Sequence, residues 1–444
     1  MSDQFNLHHQ TRLPSDPKFL FDRVECYYRE RLDETWKGRH PMKGMIPGSS
    51  AIKLRSNDYL CVAADRRVIE AEVRALQASG HGDSVSRTFV HHEADGLNAF
   101  EQRVARLMGS EAAVLANSGY CANVGLIQAI CRPDTPVFLD MKAHLSLWEG
   151  VKSAGAKPTP FRHNDAEHLD RLIGKVGPGV IVVDALYSID GNIAALEDFV
   201  EVAERRGCAL VVDETHSFGT HGPDGAGLVA ALGLNHRVHF RTVGLSKAVS
   251  SRGGLVVCSQ RNAEFLRYES LPVIFSTQVL AHEVAGYNAA LDIFANEPLR
   301  QRLLHSNHRY LTNGLDELGY NVDLSRSQII ALEAGEILET IKLRDALEKR
   351  DVFGAIFLPP ATPAKRCIIR FTVNCGLTKD ELDRVLAVCA EIRDEVGLAS
   401  WPSTRRRGRQ ARVASAVNFT FDSRPLVAPS SNVKFETALE SIRC

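Results

Sequence analysis

Five short stretches, residues 113–116, 136–140, 180–184, 209–213 and 241–244, constrain this chain more than any other feature in it. Each has the length of a buried strand and is too short for a helix, and the second and third are especially rich in Val and Leu. Helical patterns run between several of them. Leu196, Phe199, Val200 and Ala203 recur at helical spacing, and Gly207 stops them. Strands that alternate with helices favour a mainly parallel sheet covered on both faces, so the expected fold class is α/β. In such sheets ligands sit beyond the carboxyl ends of the strands, which directs attention to the residues just after each stretch.

From about Glu297 the pattern changes. A long helix is expected over 299–318, followed by strands near 329–332, 352–357 and 367–373. Thr378 and Glu381 form a capping box, and Leu382, Val385, Leu386, Cys389, Ile392 and Val396 make one apolar stripe behind it. The expected organisation is an N-terminal segment (1–60), a large domain (61–295) and a smaller C-terminal α/β domain (296–398). After Leu398 the periodicity is lost, and Arg405, Arg406, Arg407, Arg409 and Arg412 make a basic run. Residues 399–444 read as a basic, disordered tail, with a regulatory or anionic-surface contact as the alternative.

The chain has 444 residues, long enough for two domains with sizeable cores. Its 53 Lys and Arg against 54 Asp and Glu leave a net charge of -1, which predicts no nucleic-acid partner and no anionic membrane surface. No apolar run approaches the ~18 residues of a membrane span, and residues 1–16 hold no apolar core of a secretory signal. The ten cysteines are scattered with no C-x-x-C pair, so no metal site is expected and the expected location is cytoplasmic.

Three features of the large domain carry chemistry. Asp213 closes the fourth stretch and is followed by Glu214, Thr215 and His216. A carboxylate there can meet a ligand, or it can cap a turn. Ser246-Lys247 follows the fifth stretch, with Gly253-Gly254 shortly after. Such a lysine is a surface charge or, where glycines let backbone approach closely, a desolvated amine able to condense with an aldehyde. Asn117-Ser118-Gly119-Tyr120 follows the first stretch and opens a helix over about 122–130. Small residues there cap a turn or point free N–H groups at a phosphate. Neither G-x-G-x-x-G nor G-x-x-x-x-G-K-[ST] occurs, which weakens a dinucleotide or nucleoside triphosphate reading. A phosphate cradle, a strand-end acid and a flanked lysine are three requirements of pyridoxal 5'-phosphate (PLP), whose ring nitrogen the acid would keep protonated.

Seven blocks in one order carry a resemblance: Ser-Asn-Asp-Tyr-Leu (56–60), Ser-Gly-Tyr-Cys-Ala-Asn (118–123), Asp-Met-Lys-Ala-His-Leu-Ser (140–146), Tyr-Ser-Ile-Asp-Gly (187–191), Asp-Glu-Thr-His-Ser-Phe-Gly (213–219), Leu-Ser-Lys (245–247) and Ile-Arg-Phe-Thr (369–372). Over roughly residues 54–396 the chain resembles the α-oxoamine synthase family of fold-type I PLP enzymes. The resemblance implies a Schiff base on Lys247, Asp213 on the pyridinium nitrogen, and His216 and Ser188 on the ring's phenolic oxygen. It implies that His144 stacks on the ring, and that Ser118, Gly119 and Tyr120 hold the phosphate and its approach. Ser276 and Thr277 match residues supplied to the phosphate by a second subunit, which implies a homodimer with shared active sites. Arg370 would clamp the amino-acid carboxylate, and Asn57 would line the substrate pocket.

Two positions depart from the family pattern. Leu97 stands where a histidine usually precedes Leu-Glu, and Gly244 stands where Thr usually precedes the lysine by three residues. Other blocks, among them His-Leu-Ser-Leu-Trp-Glu-Gly (144–150) and Val-Phe-Gly-Ala-Ile-Phe (352–357), are similar to one branch, the synthases of α-hydroxyketone quorum-sensing autoinducers. That likeness implies a decarboxylative Claisen condensation between a medium- or long-chain acyl-CoA and an α-amino acid, 2-aminobutyrate or S-adenosylmethionine. The product would be an α-aminoketone. The alternatives are a glycine, alanine or serine acyltransferase of the same family, and a non-catalytic partner subunit.

Overall fold

The computed structural model describes residues 15–82, 85–90 and 96–410. The chain divides into two compact units, residues 1–46 and residues 47 onward. In the first, helix Lys18–Cys26 passes into a π-helical segment, Tyr27–Thr35, and Trp36 packs edge-on against Tyr27 and His40.

The second unit contains two sheets. Its strands are β1 (Ile52–Leu54), β2 (Ala112–Ala116), β3 (Val137–Asp140), β4 (Pro158–Phe161), β5 (Val180–Asp184), β6 (Ala209–Asp213), β7 (Phe240–Gly244), β8 (Gly254–Cys258), β9 (Ile329–Gly335), β10 (Val352–Phe357) and β11 (Cys367–Thr372). The larger sheet has the order β2-β8-β7-β6-β5-β3-β4. Strands β4, β3, β5, β6 and β7 run parallel, and β8 runs antiparallel to both β7 and β2. Successive side chains serve opposite layers: Val180, Val182 and Val211 join one core, Ile181, Val183, Leu210 and Val212 the other. Each such side chain, fully buried, contributes about 1.5–3 kcal/mol. That two-sided burial is why these strands are continuously apolar in sequence. The α/β class holds.

Two strands of this sheet were not among the five stretches. β4 is an edge strand carrying Pro158 and Pro160, residues a ladder tolerates only at its margin. β8 lies directly behind the Gly253-Gly254 pair, and nothing in an apolar run announces an antiparallel direction.

The smaller sheet has the order β1-β10-β11-β9, with β1 parallel to β10 and the other neighbours antiparallel. Residues 52–54 are thus part of this sheet, and they carry the Asn57 segment with them. Helices Pro298–Glu317, Ile337–Glu348 and Lys379–Glu391 accompany it. The Thr378 cap forms as expected: Thr378 Oγ1 accepts from the Glu381 amide at 3.2 Å, and Glu381 Oε2 accepts from the Thr378 amide at 2.8 Å.

The expected disordered tail from residue 399 is corrected over its first part. Trp401 is buried, its indole donates to the Val396 carbonyl at 3.0 Å, and a helix follows over Pro402–Gln410. Ser403 donates to the Glu333 carbonyl at 2.6 Å and Arg406 to its carboxylate at 2.5 Å. One isolated aromatic anchors this helix, too little to register as a periodic pattern. Residues 411–444, Arg412 among them, and the side chains of Arg407 and Arg409 lie outside the described residues.

Candidate active site

The carboxyl ends of β5, β6 and β7 bring Asp184, Asp213 and the Lys247 turn to one side of the larger sheet. Asp184 and Asp213 are register partners, and Asp213 is also level with Thr242. Asp213 is buried; its Oδ2 accepts from Asn123 Nδ2 at 2.6 Å and its Oδ1 from the Thr215 amide at 2.8 Å. Asn123, on helix Gly119–Ile130, also donates to Ser146 Oγ at 2.9 Å. Ser146 in turn lies 2.7 Å from His144 Nδ1, so one chain of hydrogen bonds joins Asp213 to the His144 ring. His144 caps helix Leu145–Ser153, and its own amide donates to Asp184 Oδ1 at 3.0 Å.

Lys247 follows β7 and is partly buried. Among the described residues no hydrogen bond or ion pair engages its amine. Desolvation holds the amine below its ordinary range, the Arg370 cation pushes the same way, and Asp213 opposes them. Beside it, backbones approach closely: a Cβ on Gly119 would stand 2.7 Å from Gly244 Cα, and one on Gly254 2.3 Å from the Ser118 carbonyl oxygen. Ser118 caps the helix that begins at Gly119, its Oγ accepting from the Cys121 amide at 3.0 Å. This leaves a bare backbone corner at a helix start, the kind of cradle a phosphate takes.

His216 is buried. Its Nδ1 lies 2.6 Å from the Tyr59 hydroxyl, and its carbonyl accepts from Gln328 Nε2 at 2.7 Å. Desolvation, then the Lys247, Arg370 and His144 charges, hold it well below the usual histidine range, so it is neutral. Arg370 reaches in from β11. Its Nη1 donates to the Ser188 carbonyl at 2.6 Å, its Nη2 to Asn57 Oδ1 at 2.9 Å, and its guanidinium lies 4.7 Å from the Phe357 ring centre. Its Nε is buried with no partner, and among the described residues no carboxylate pairs with it. A guanidinium has five N–H donors, and beyond the two bonds above one N–H on each terminal nitrogen is uncommitted.

The structure therefore brings Lys247, Asp213, His144, His216, Ser188, Arg370 and Asn57 to one site, with Ser118 and Gly119 at its edge. Tyr120 is half exposed on the same helix. No contact of Ser276 or Thr277 with Lys247 is seen among the described residues; the Thr277 carbonyl accepts from Asn117 Nδ2 at 2.7 Å. Tyr59, Asn123, Ser146, Asp184 and Gln328 belong to the site and had been given no role. Tyr59 and Asn123 do stand inside the quoted blocks, but their partners lie 157 and 90 residues away.

The donor set fits PLP: an uncommitted desolvated amine, a carboxylate at a strand end, a backbone cradle and a neutral imidazole. Among the described residues no three His, Cys, Asp or Glu gather as metal ligands, and no helix is long and apolar enough to cross a membrane.

The profile of the family described as aminotransferase class I and II matches residues 49–388. The chain is 40% identical over 375 residues to a CAI-1 autoinducer synthase of Vibrio campbellii, covering 84% of this chain and 95% of that one. It is 34% identical over 360 residues to an 8-amino-7-oxononanoate synthase of Symbiobacterium thermophilum, covering 80% and 92%. Among solved structures, a serine palmitoyltransferase from S. paucimobilis with bound PLP–myriocin has a TM-score of 0.79 at 27% identity, over 86% of this chain and 100% of that one.

Proposed function

The chain belongs to the aminotransferase class I and II family, as an α-oxoamine synthase, and from that premise we propose that it condenses a medium- or long-chain acyl-CoA with an α-amino acid to give an α-aminoketone, the precursor of an α-hydroxyketone autoinducer. It is a PLP-dependent acyltransferase. PLP, when bound, supplies an electron sink for charge left on Cα when a proton or CO2 departs.

The protein's own groups divide the work. Lys247 is the amine that holds the cofactor and then carries the Cα proton, a task suited to an amine below its ordinary range. Asp213 would pair with the pyridine nitrogen, and His144 would stack on the ring. Neutral His216 and Ser188 serve the phenolic oxygen, and Ser118, Gly119 and Tyr120 serve the phosphate. Arg370 takes the amino-acid carboxylate, and the observation that carries this reading is a buried guanidinium that acts on Lys247 and that, among the described residues, has only neutral acceptors and no carboxylate partner. Across the reaction the Cα–H bond breaks, Cα bonds to the acyl carbonyl carbon and CoA leaves as the thiolate. The carboxylate then departs as CO2 and Cα regains a proton.

Likeness to a protein named CAI-1 autoinducer synthase, over nearly all of that protein's length, supports the signal-producing branch; the amino donor proposed for it is 2-aminobutyrate or S-adenosylmethionine. The partner assembly is a homodimer in the cytoplasm, with Ser276 and Thr277 reaching the second subunit's phosphate. Exposed Phe89, Tyr268, Leu271 and Phe275 support a covered face near those residues. The test is direct. Purified enzyme should be yellow, borohydride should fix the cofactor to Lys247, and Lys247→Ala should lose both colour and turnover. Mass spectrometry of products from mixed acyl-CoAs and an amino-acid panel then separates this reading from a glycine, alanine or serine acyltransferase. Colourless wild-type protein without turnover would favour a non-catalytic partner subunit.

A further inference from the structure

Four buried carboxylates gather here, three of them acting on the fourth, Asp184 at the end of β5: Asp140 at the end of β3, Asp190 just beyond β5, and Asp213 at the end of β6. Like charges this close cannot all persist unless each is compensated. Asp140 accepts from His163 Nδ1 at 2.9 Å and from the Lys142 and Asn164 amides at 2.8 and 3.0 Å. Asp190 is paired with the Lys142 amine and accepts from the Asn192 amide at 3.3 Å. Asp213 has Asn123 and Thr215 as donors and the Lys247 side chain as a nearby cation source. Asp184 has one neutral donor, the His144 amide at 3.0 Å, and among the described residues no counter-charge.

We propose that Asp184 is a further positioning residue of this site, held as a neutral carboxylic acid that anchors His144 by its backbone and leaves Asp213 the only anion facing the cofactor. The inference rests on the reading of Lys247 and Asp213 given above. Desolvation, with the charge of Asp213 next, pushes the Asp184 carboxyl well above the usual carboxylate range, in agreement with that donor census. An ionised Asp184 would add a second negative charge level with Asp213, repel it and raise its proton affinity, so that the carboxylates would compete with the ring nitrogen for its proton. A neutral one keeps the hydrogen bond to the His144 amide and removes the repulsion.

The experiment compares the holoenzymes of wild type, Asp184→Asn and Asp184→Ser, following the pH midpoint of the yellow band and kcat. Asparagine keeps the acceptor and the shape of a neutral acid. Its midpoint should stay within about 0.2 of the wild type and its kcat within roughly threefold. Serine shortens the side chain and frees His144; kcat should fall roughly tenfold or more, about the loss of one buried hydrogen bond, with the midpoint again unmoved. A midpoint displaced by about one unit or more in either variant would mean that a charge had been removed, and would overturn the proposal. Equal kcat for Asn and Ser would overturn the anchoring role. Should Asp184→Asn fail to fold, Asp184→Ser carries the same charge test. A colourless wild type would overturn the Lys247 reading, and this inference with it.

Discussion

Arg370 Nη2 donates to Asn57 Oδ1 at 2.9 Å, and this contact ties β11 of the smaller sheet to the segment that follows β1. The amide is a neutral acceptor, so it orients the guanidinium without neutralising it. Asn57→Asp would place a carboxylate at the same spot, and that internal anion would compete with a substrate carboxylate. The expected result is a KM for the amino donor raised roughly 10- to 100-fold, the scale of one charge-assisted hydrogen bond, with the KM for the acyl donor unchanged. Steady-state kinetics with each substrate varied in turn decides it. An unchanged amino-donor KM would remove Arg370 from the carboxylate role.

Gly119 and Gly244 make a second testable pair. A Cβ on Gly119 would meet backbone, Gly244 Cα at 2.7 Å, whereas one on Gly244 would meet Thr215 side-chain atoms at 3.0 and 3.2 Å. Backbone cannot step aside as a side chain can. Gly119→Ala should therefore cost about 1–3 kcal/mol and weaken cofactor binding, and Gly244→Ala should cost less in both. Thermal melting and cofactor titration of the two variants give the ranking.

The anchor of the last helix is also open to measurement. Trp401 is enclosed and hydrogen-bonded, so Trp401→Ala should cost about 3–5 kcal/mol. Arg406 is partly exposed, and Arg406→Ala should cost under about 1 kcal/mol. Melting of the two variants reads the difference; equal losses would show that the helix is held by its charges.

What could be read from the sequence was what depends on neighbours in sequence. The runs at 180–183 and 209–212 are continuously apolar because both faces are covered, and the places of Asp213 at the end of β6 and Lys247 after β7 could be read from those runs. The Thr378 cap is a local feature and forms as expected, while its helix ends at Glu391, so that Ile392 and Val396 of the expected stripe are buried beyond its end. The Tyr59–His216 and Asn123–Asp213 contacts depend on distant pairing, which no local pattern encodes. The Asp184 environment is harder still, since it depends on four carboxylates from separate strands and loops meeting in the fold. The helix after Trp401 was missed because one anchoring side chain makes no periodicity.

A last expectation concerns acid. His308 is buried on helix Pro298–Glu317, its Nε2 donating to the Ser325 carbonyl at 3.1 Å, and His305 on the same helix donates to the Thr220 carbonyl at 2.8 Å. His305 packs edge-on against buried His221 at 4.9 Å between ring centres. Desolvation holds all three imidazoles below the ordinary range, and takes His308 down to about 4. The unfolded chain binds a proton on His308 near pH 6.5, while the folded chain resists it until the pH approaches 4. The folded state is thus favoured above pH 6.5 and loses that advantage as the pH falls towards 4, by up to about 3 kcal/mol for His308 alone. His308→Gln keeps a donor for the Ser325 carbonyl but does not titrate. Its melting temperature should fall less steeply than that of the wild type between pH 7 and 4.5, with the curves closest at neutral pH. Parallel curves across that window would show that the acid sensitivity lies in other groups.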